Sequence, residues 1–305
     1  IFDREIVSEE LQTVGADESP RAVQSPATRR IGFMQGRLSP ALDGRLQAFP
    51  WPCWRDEFAV AERYGYRLME WTADQDRLYE SPLLTSAGQN EIRARCDGHG
   101  LTIPSLTGDC FMQAPFWQVE GSEREVRTRH FRQVAKACVT VGISLIVVPL
   151  VDHGRLESRE QEDVLVAVMS GEAKFLTEHG LRVVFESDFP PWELARFIGR
   201  LDPAVFGVNY DIGNSASLGF DPAEEMAAYG SRLLNVHVKD RARRGTSVPL
   251  GTGSANFDAV FAGLGAIGYT GNYVLQTARA TDGDDAGVLC RYRDMTVEWI
   301  DRHGA

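Results

Sequence analysis

Four polar residues close four apolar runs in the second half of the chain. They are Glu186 in LRVVFES (181–187), Asp211 in VFGVNYD (205–211), His237 in LLNVHVKD (233–240) and Gln276 in GNYVLQT (271–277). Each alone reads as an ordinary hydrogen-bonding residue at a strand end, and His237, between Val236 and Val238, also reads as a satisfied core histidine. Taken together, two carboxylates, an imidazole and an amide oxygen suit Mg²⁺, Mn²⁺ or Co²⁺ better than a thiolate zinc site would. An ion in such a set can hold two vicinal sugar oxygens and stabilise the enediolate that forms when the C–H beside a carbonyl loses its proton. Gln276 limits this chemistry, because an amide offers a neutral oxygen but takes up no proton at neutral pH.

For these side chains to meet, their runs must lie side by side with like ends together. Four earlier runs have the same character: IGFMQ (31–35), RLMEW (67–71), LTIPSLTG (101–108) and SLIVVPL (144–150). Continuous Val/Ile/Leu stretches of this length predict strands buried on both faces, as in a parallel sheet. Between the runs lie longer amphipathic stretches. WRDEFAVAERYG (54–65) places Phe58, Ala61 and Glu62 at helical spacing, segments 125–142 and 162–180 close on glycine, and DPAEEMAAYG (221–230) opens on Asp-Pro. Eight β-then-α units predict an α/β fold of (β/α)8 TIM-barrel type, a single domain over residues 31–305, with an open doubly wound sheet as the rival. Residues 1–30, polar and carrying Pro20 and Pro26, read as an N-terminal extension with no assigned chemistry. In a barrel the C-terminal ends of the strands converge on one mouth, and the four polar residues hold that position on the fifth to eighth strands.

The bulk properties narrow the partners. A net charge of −11 over 305 residues argues against nucleic acid or an anionic membrane as the main partner, while a local basic pocket can still receive a small anion. Cys53, Cys96, Cys110, Cys138 and Cys290 are odd in number and lack a C-x-x-C pair, so a disulfide framework is not expected and a reducing cytoplasm is. No apolar run reaches the roughly 20 residues of a membrane span, and the first twenty residues lack a signal-peptide core.

The segments VVFESD (183–188), NYDIGNS (209–215), NVHVKD (235–240), VPLGTG (248–253) and GYTGNYVLQTAR (268–279) resemble those of the xylose-isomerase-like barrels, over about residues 31–300. That family includes sugar-phosphate isomerases and epimerases. MQGRLSP (34–40) with FPWPCWRDEF (49–58) resembles an uncharacterised branch of it. The resemblance implies one divalent ion, Mn or Mg first and Co or Zn next, held by Glu186, Asp211 and His237, with Glu186 also the general base. It places Gln276 where the family carries a fourth ligand, a glutamate.

In the family's epimerases two glutamates lie on opposite faces of the sugar, one removing a proton and the other returning it. With Gln276 the second is missing. A single base still supports aldose–ketose isomerisation; otherwise another group must serve, and His153 in PLVDHGR is the expected substitute. The leading expectation is a metal-dependent isomerase or epimerase of a sugar or sugar phosphate. The alternatives are a dehydratase of a keto-polyol or inosose and a non-catalytic metal- or sugar-binding barrel. A three-zinc AP endonuclease needs more histidines than the six present, several of which lie on predicted helices.

Expected substrate contacts are Lys239 and Arg243, the latter by its H-x5-R spacing from His237, and Arg279 just past the eighth strand. Asn214 stands where relatives carry a substrate-binding histidine. Glu70 and Asp109 would bind hydroxyls or pair with a mouth arginine, and Gln35 and Arg37 would close the far side. Arg241 and Arg244 read equally as a solvated basic loop. The Gly251–Gly253 turn could offer N–H groups to a phosphate, and Trp51, Trp54, Phe111, Phe116 and Trp117 could wall a sugar pocket. The expected partner is a small carbohydrate, and barrels of this type often form homodimers.

Overall fold

Eight parallel strands close on themselves: β1 (Ile31–Met34), β2 (Leu68–Thr72), β3 (Thr102–Thr107), β4 (Leu145–Leu150), β5 (Arg182–Ser187), β6 (Phe206–Asp211), β7 (Leu233–Val238) and β8 (Asn272–Leu275). The computed structural model describes residues 25–45 and 47–305, without the side chain of Asp43, so the expectation for residues 1–24 lies outside the described residues. Each strand falls within one of the eight apolar runs, except that β2 extends one residue past its run to Thr72. β1 pairs with β2 and also with β8, with Ile31 opposite Tyr273 and Phe33 opposite Leu275. That last pairing removes both sheet edges and excludes the open sheet.

The side-chain period of two explains how charged residues sit in apolar runs. Phe185 turns outward onto Phe197 of the helix Pro191–Ile198, with ring centroids 5.3 Å apart. Its neighbour Glu186 therefore turns inward. Tyr210 packs near Tyr229 of the helix Pro222–Tyr229, and Asp211 faces the interior. Val236 and Val238 join the apolar core, while His237 between them meets polar groups.

The predicted helices form at Asp56–Arg63, Gly121–Val141, Arg159–Glu178 and Pro222–Tyr229. Gly142 ends the second of these in the left-handed region, φ 85°, a conformation that suits glycine. No helix among the described residues is long and apolar enough to cross a membrane.

The barrel begins before Ile31. A short helix, Pro26–Arg29, is capped by Ser25 and buries Ala27. Arg30 then donates to the carbonyls of Gly271 and Tyr269 and lies over the Tyr273 ring, clasping β1 to β8. At the opposite end of these strands the loops are stitched together by side chains. The Glu57 carboxylate accepts from the Gly36 and Leu38 N–H groups, and Arg279 donates to the Gly36 and Ser39 carbonyls.

Candidate metal centre

Glu186, Asp211 and His237 each offer a ligand atom, and these atoms lie within 4.8 Å of one another in buried surroundings. Donors on one divalent ion at about 2.1 Å stand roughly 3–4 Å apart. The set spans little more than a bound ion requires, and its chemistry, two carboxylates and an imidazole, suits a divalent cation.

His237 is oriented for that role. Its Nε2 lies 2.8 Å from Glu70 Oε1, and Glu70 is itself fixed by Ser105, Thr107 and Asn235. Its other nitrogen, Nδ1, faces Glu186 Oε2 at 3.2 Å, and it is the atom that would turn its lone pair to an ion once its own proton is displaced. A carboxylate behind a histidine is the usual device for orienting a metal ligand. Without an ion, burial alone would lower the imidazole pKa. The charges of Glu70 and Glu186 override burial and raise it to about 10. Glu70, which burial alone would raise, is held below its ordinary range by His237 and the surrounding donors.

Glu186 is held on both oxygens. Asn214 Nδ2 donates to Oε1 at 2.7 Å and Asn209 Nδ2 to Oε2 at 2.8 Å. Asp211 Oδ1 accepts the Asn214 N–H at the start of the helix Ile212–Leu218. Its Oδ2 accepts from Lys239 Nζ at 3.0 Å. Gly213 makes this possible: a Cβ there would lie 2.8 Å from Lys239 Cγ.

Gln276 points its oxygen at the same ammonium, 3.1 Å away. Its Nε2 donates to Gln47 Oε1 at 2.6 Å, and Gln47 Nε2 donates to Asp109 Oδ2 at 2.6 Å. Burial, reinforced by the charges of Asp74 and Glu186, pushes Asp109 up to about 7 against the opposing pull of Gln47 and Lys239.

Gln47, Asp109, Glu186, Asn214, Lys239 and Gln276 share one cavity of about 350 Å³ at the C-terminal ends of the strands. That volume lies in the roughly 300–1,000 Å³ range of small-molecule sites. A larger hollow of about 510 Å³ opens at the opposite end of the barrel, beside Ser144, Leu233 and Asn272. Chemistry in this architecture belongs to the C-terminal end, and the converging polar groups are there.

Several expected residues stand elsewhere. His153 is exposed in the turn Asp152–Gly154, outside the cavity lining. Arg243 is exposed and lies over Gly219 beside a separate small hollow. Its neighbour Arg241 reaches the mouth instead and donates to Asn214 Oδ1 at 2.7 Å. Arg37 donates to the Thr277 carbonyl and, at 3.4 Å, to Gln47 Oε1, and Arg279 to loop carbonyls and Asp285, so both brace the mouth from behind its lining. Gln35 is buried and accepts the Thr72 N–H. Glu70 lies beneath His237 and outside the cavity lining. Trp54, Phe111, Phe116 and Trp117 belong to the core, and the N–H groups of Gly251 and Gly253 are taken by Asp240.

Asn209, Asn235 and Gln47 were not expected. Asn209 and Asn235 stand two residues before Asp211 and His237, so period-two counting along the strands would have placed them on the inner face. Gln47 lies on a loop, where no periodicity marks it.

The model of the family described as "Xylose isomerase-like TIM barrel" matches residues 58–290. The L-ribulose-5-phosphate 3-epimerase UlaE of Escherichia coli (strain SMS-3-5 / SECEC) is 23% identical over 255 residues, covering 79% of this chain and 88% of that one. Among solved structures, D-psicose 3-epimerase from Clostridium cellulolyticum H10, with D-tagatose, superposes with a TM-score of 0.67 at 15% identity, covering 90% of this chain and 99% of the other. A xylose isomerase-like TIM barrel protein from Mycobacterium smegmatis in complex with magnesium gives 0.67 at 17% identity, covering 93% and 100%. With the family's model matching most of this chain's length, and with the closed barrel and inward-facing site described above, the chain belongs to the xylose isomerase-like TIM barrel family.

Proposed function

We propose that the protein is a metal-dependent epimerase or isomerase of a small sugar or sugar phosphate, with Glu186 as the base. The observation that carries this reading is the convergence of Glu186, Asp211 and His237 from three successive strands on one buried point beside a sugar-sized cavity. The names of the relatives, epimerases of ketoses and of a ketose phosphate, support the same class of substrate.

A divalent ion held by Glu186, Asp211 and His237 supplies Lewis acidity toward adjacent carbonyl and hydroxyl oxygens of the substrate. The chain's own residues do the rest. Glu186, oriented by Asn209 and Asn214, takes the proton from the carbon beside the carbonyl, leaving an enediolate. Lys239, held between Asp211 and Gln276, keeps a positive charge at the edge of the site as negative charge develops on the substrate. Asn214 and Arg241 form a polar wall on which substrate hydroxyls can bind.

Candidate ketoses and ketose phosphates incubated with the Mn²⁺-loaded protein in D₂O test the reading. Deuterium should enter the carbon next to the carbonyl, and Glu186→Gln should slow that entry by about 10²–10⁴-fold. Absence of exchange in every sugar that measurably binds would identify a binding protein instead. The ion assignment is tested separately: Asp211→Ala should lose Mn²⁺ binding, and wild-type affinity in that variant would overturn it.

A further inference from the structure

Inversion at a carbon needs two proton positions, and Gln276 provides none. We infer that Asp109 is the second: its carboxyl gives the proton to the enediolate from the β3 side of the cavity, or takes it in the reverse direction. The inference rests on the reading of Glu186 as the first base.

Placement is the first ground. Asp109 follows β3 and Glu186 belongs to β5, while Pro149 and Val151, at the end of β4, line the same cavity between them. A molecule lying in the mouth therefore meets carboxyl groups from two strand ends.

The second ground is direction. Lys239 has only donors, so it fixes Gln276 with its oxygen toward the ammonium and its NH₂ toward Gln47. Gln47 must then accept with its oxygen and donate with its NH₂, and that donation ends on Asp109 Oδ2. The chain has one orientation, and it makes Oδ2 an acceptor. Oδ1 has no protein partner among the described residues and is left to carry the proton. The raised pKa of this buried carboxyl, about 7, matches a group that holds and releases a proton near neutrality. Of the other titratable groups near the mouth, Asp152 and His153 are exposed.

The step balances without a further reactant. Glu186 takes the proton, and the C–H electron pair becomes the C=C bond of the enediolate as the carbonyl oxygen gains negative charge. When the carbonyl re-forms, the carbon takes the O–H proton of Asp109. Glu186 ends protonated and Asp109 ionised, and one proton passing through solvent restores both.

The test uses the Mn²⁺-loaded protein and a ketose into which the wild type introduces deuterium. Asp109→Asn should keep deuterium entry from the Glu186 side within a few-fold, while inversion falls by about 10²–10⁴-fold. Inversion at the wild-type rate overturns the inference. So does an equal fall in exchange and inversion, which would make Asp109 a structural support. Absence of exchange in the wild type instead defeats the reading of Glu186, and the inference with it. If Asp109→Asn does not fold, Asp109→Ser is measured in its place with and without added formate. Inversion that rises with formate while exchange stays constant supports a lost proton carrier, and inversion indifferent to formate overturns it.

Discussion

Asp109 and Glu70 are both buried carboxyl groups at this end of the barrel, and their surroundings drive them in opposite directions. Glu70 faces an imidazole and three further donors. Asp109 has one amide donor and lies within the field of two other carboxylates. Environment, not residue type, separates a charge that anchors a ligand from one that can hold a proton. For Asp109 the folded pKa of about 7 exceeds the ordinary 3.8, so the folded state binds the proton more tightly than the unfolded state. The stability this contributes is complete below about pH 4 and is lost as the pH rises through about 7. Asp109→Asn should therefore match the wild type in acid and exceed it at pH 8, by up to about 4 kcal/mol. Thermal unfolding of the metal-free proteins from pH 5 to 8 checks this, and parallel curves would contradict it. Glu70→Gln leaves all three ligands in place but weakens the hold on His237, so Mn²⁺ affinity should fall about 10–100-fold in a direct titration. At this scale the sequence pointed to Glu186, Asp211 and His237, which the structure brings together, because carboxylates and a histidine interrupting apolar runs stand out. It did not show that Gln276 faces an ammonium, since the direction of a side chain past a strand end depends on its neighbours.

The strands and their order were legible because burial on both faces leaves an uninterrupted apolar run, and the glycine and Asp-Pro signals marked the helix ends. The loops were not legible. Arg243 was expected at the substrate by its H-x5-R spacing, and Arg37 and Arg279 by their places just past β1 and β8, yet Arg37 and Arg279 bind main-chain carbonyls and Arg243 points elsewhere. An arginine near a mouth can brace it as well as line it, and a loop has no period to tell the two apart. Arg279 holds the segment that delivers Gln47, through the carbonyls of Gly36 and Ser39 and the carboxylate of Asp285. Arg279→Ala should cost about 2–3 kcal/mol and raise KM more than it lowers kcat. Hydrogen exchange over residues 36–50 should quicken in the variant; unchanged protection there would separate Arg279 from the loop.

At the scale of the whole molecule, eight repeated units were enough to expect a barrel, and the β1–β8 pairing realises it. An ion that binds only the folded barrel stabilises all of it, by about 2.7 kcal/mol at a concentration a hundredfold above Kd. Mn²⁺ should therefore raise the Tm by several degrees, EDTA should reverse the rise, and Asp211→Ala should show neither effect. The circle also divides unevenly. The candidate ligands come from β5, β6 and β7, whereas Gln47, Glu70 and Asp109 come from the loop after β1, from β2 and from the segment after β3; Gln276, after β8, faces Lys239. The two groups meet inside the barrel, where Glu70 of β2 holds His237 of β7. A substitution at Asp109 or Gln47 would alter the proposed proton return while the three candidate ligands stayed in place, whereas one at Glu70 would reach the ligand set through His237.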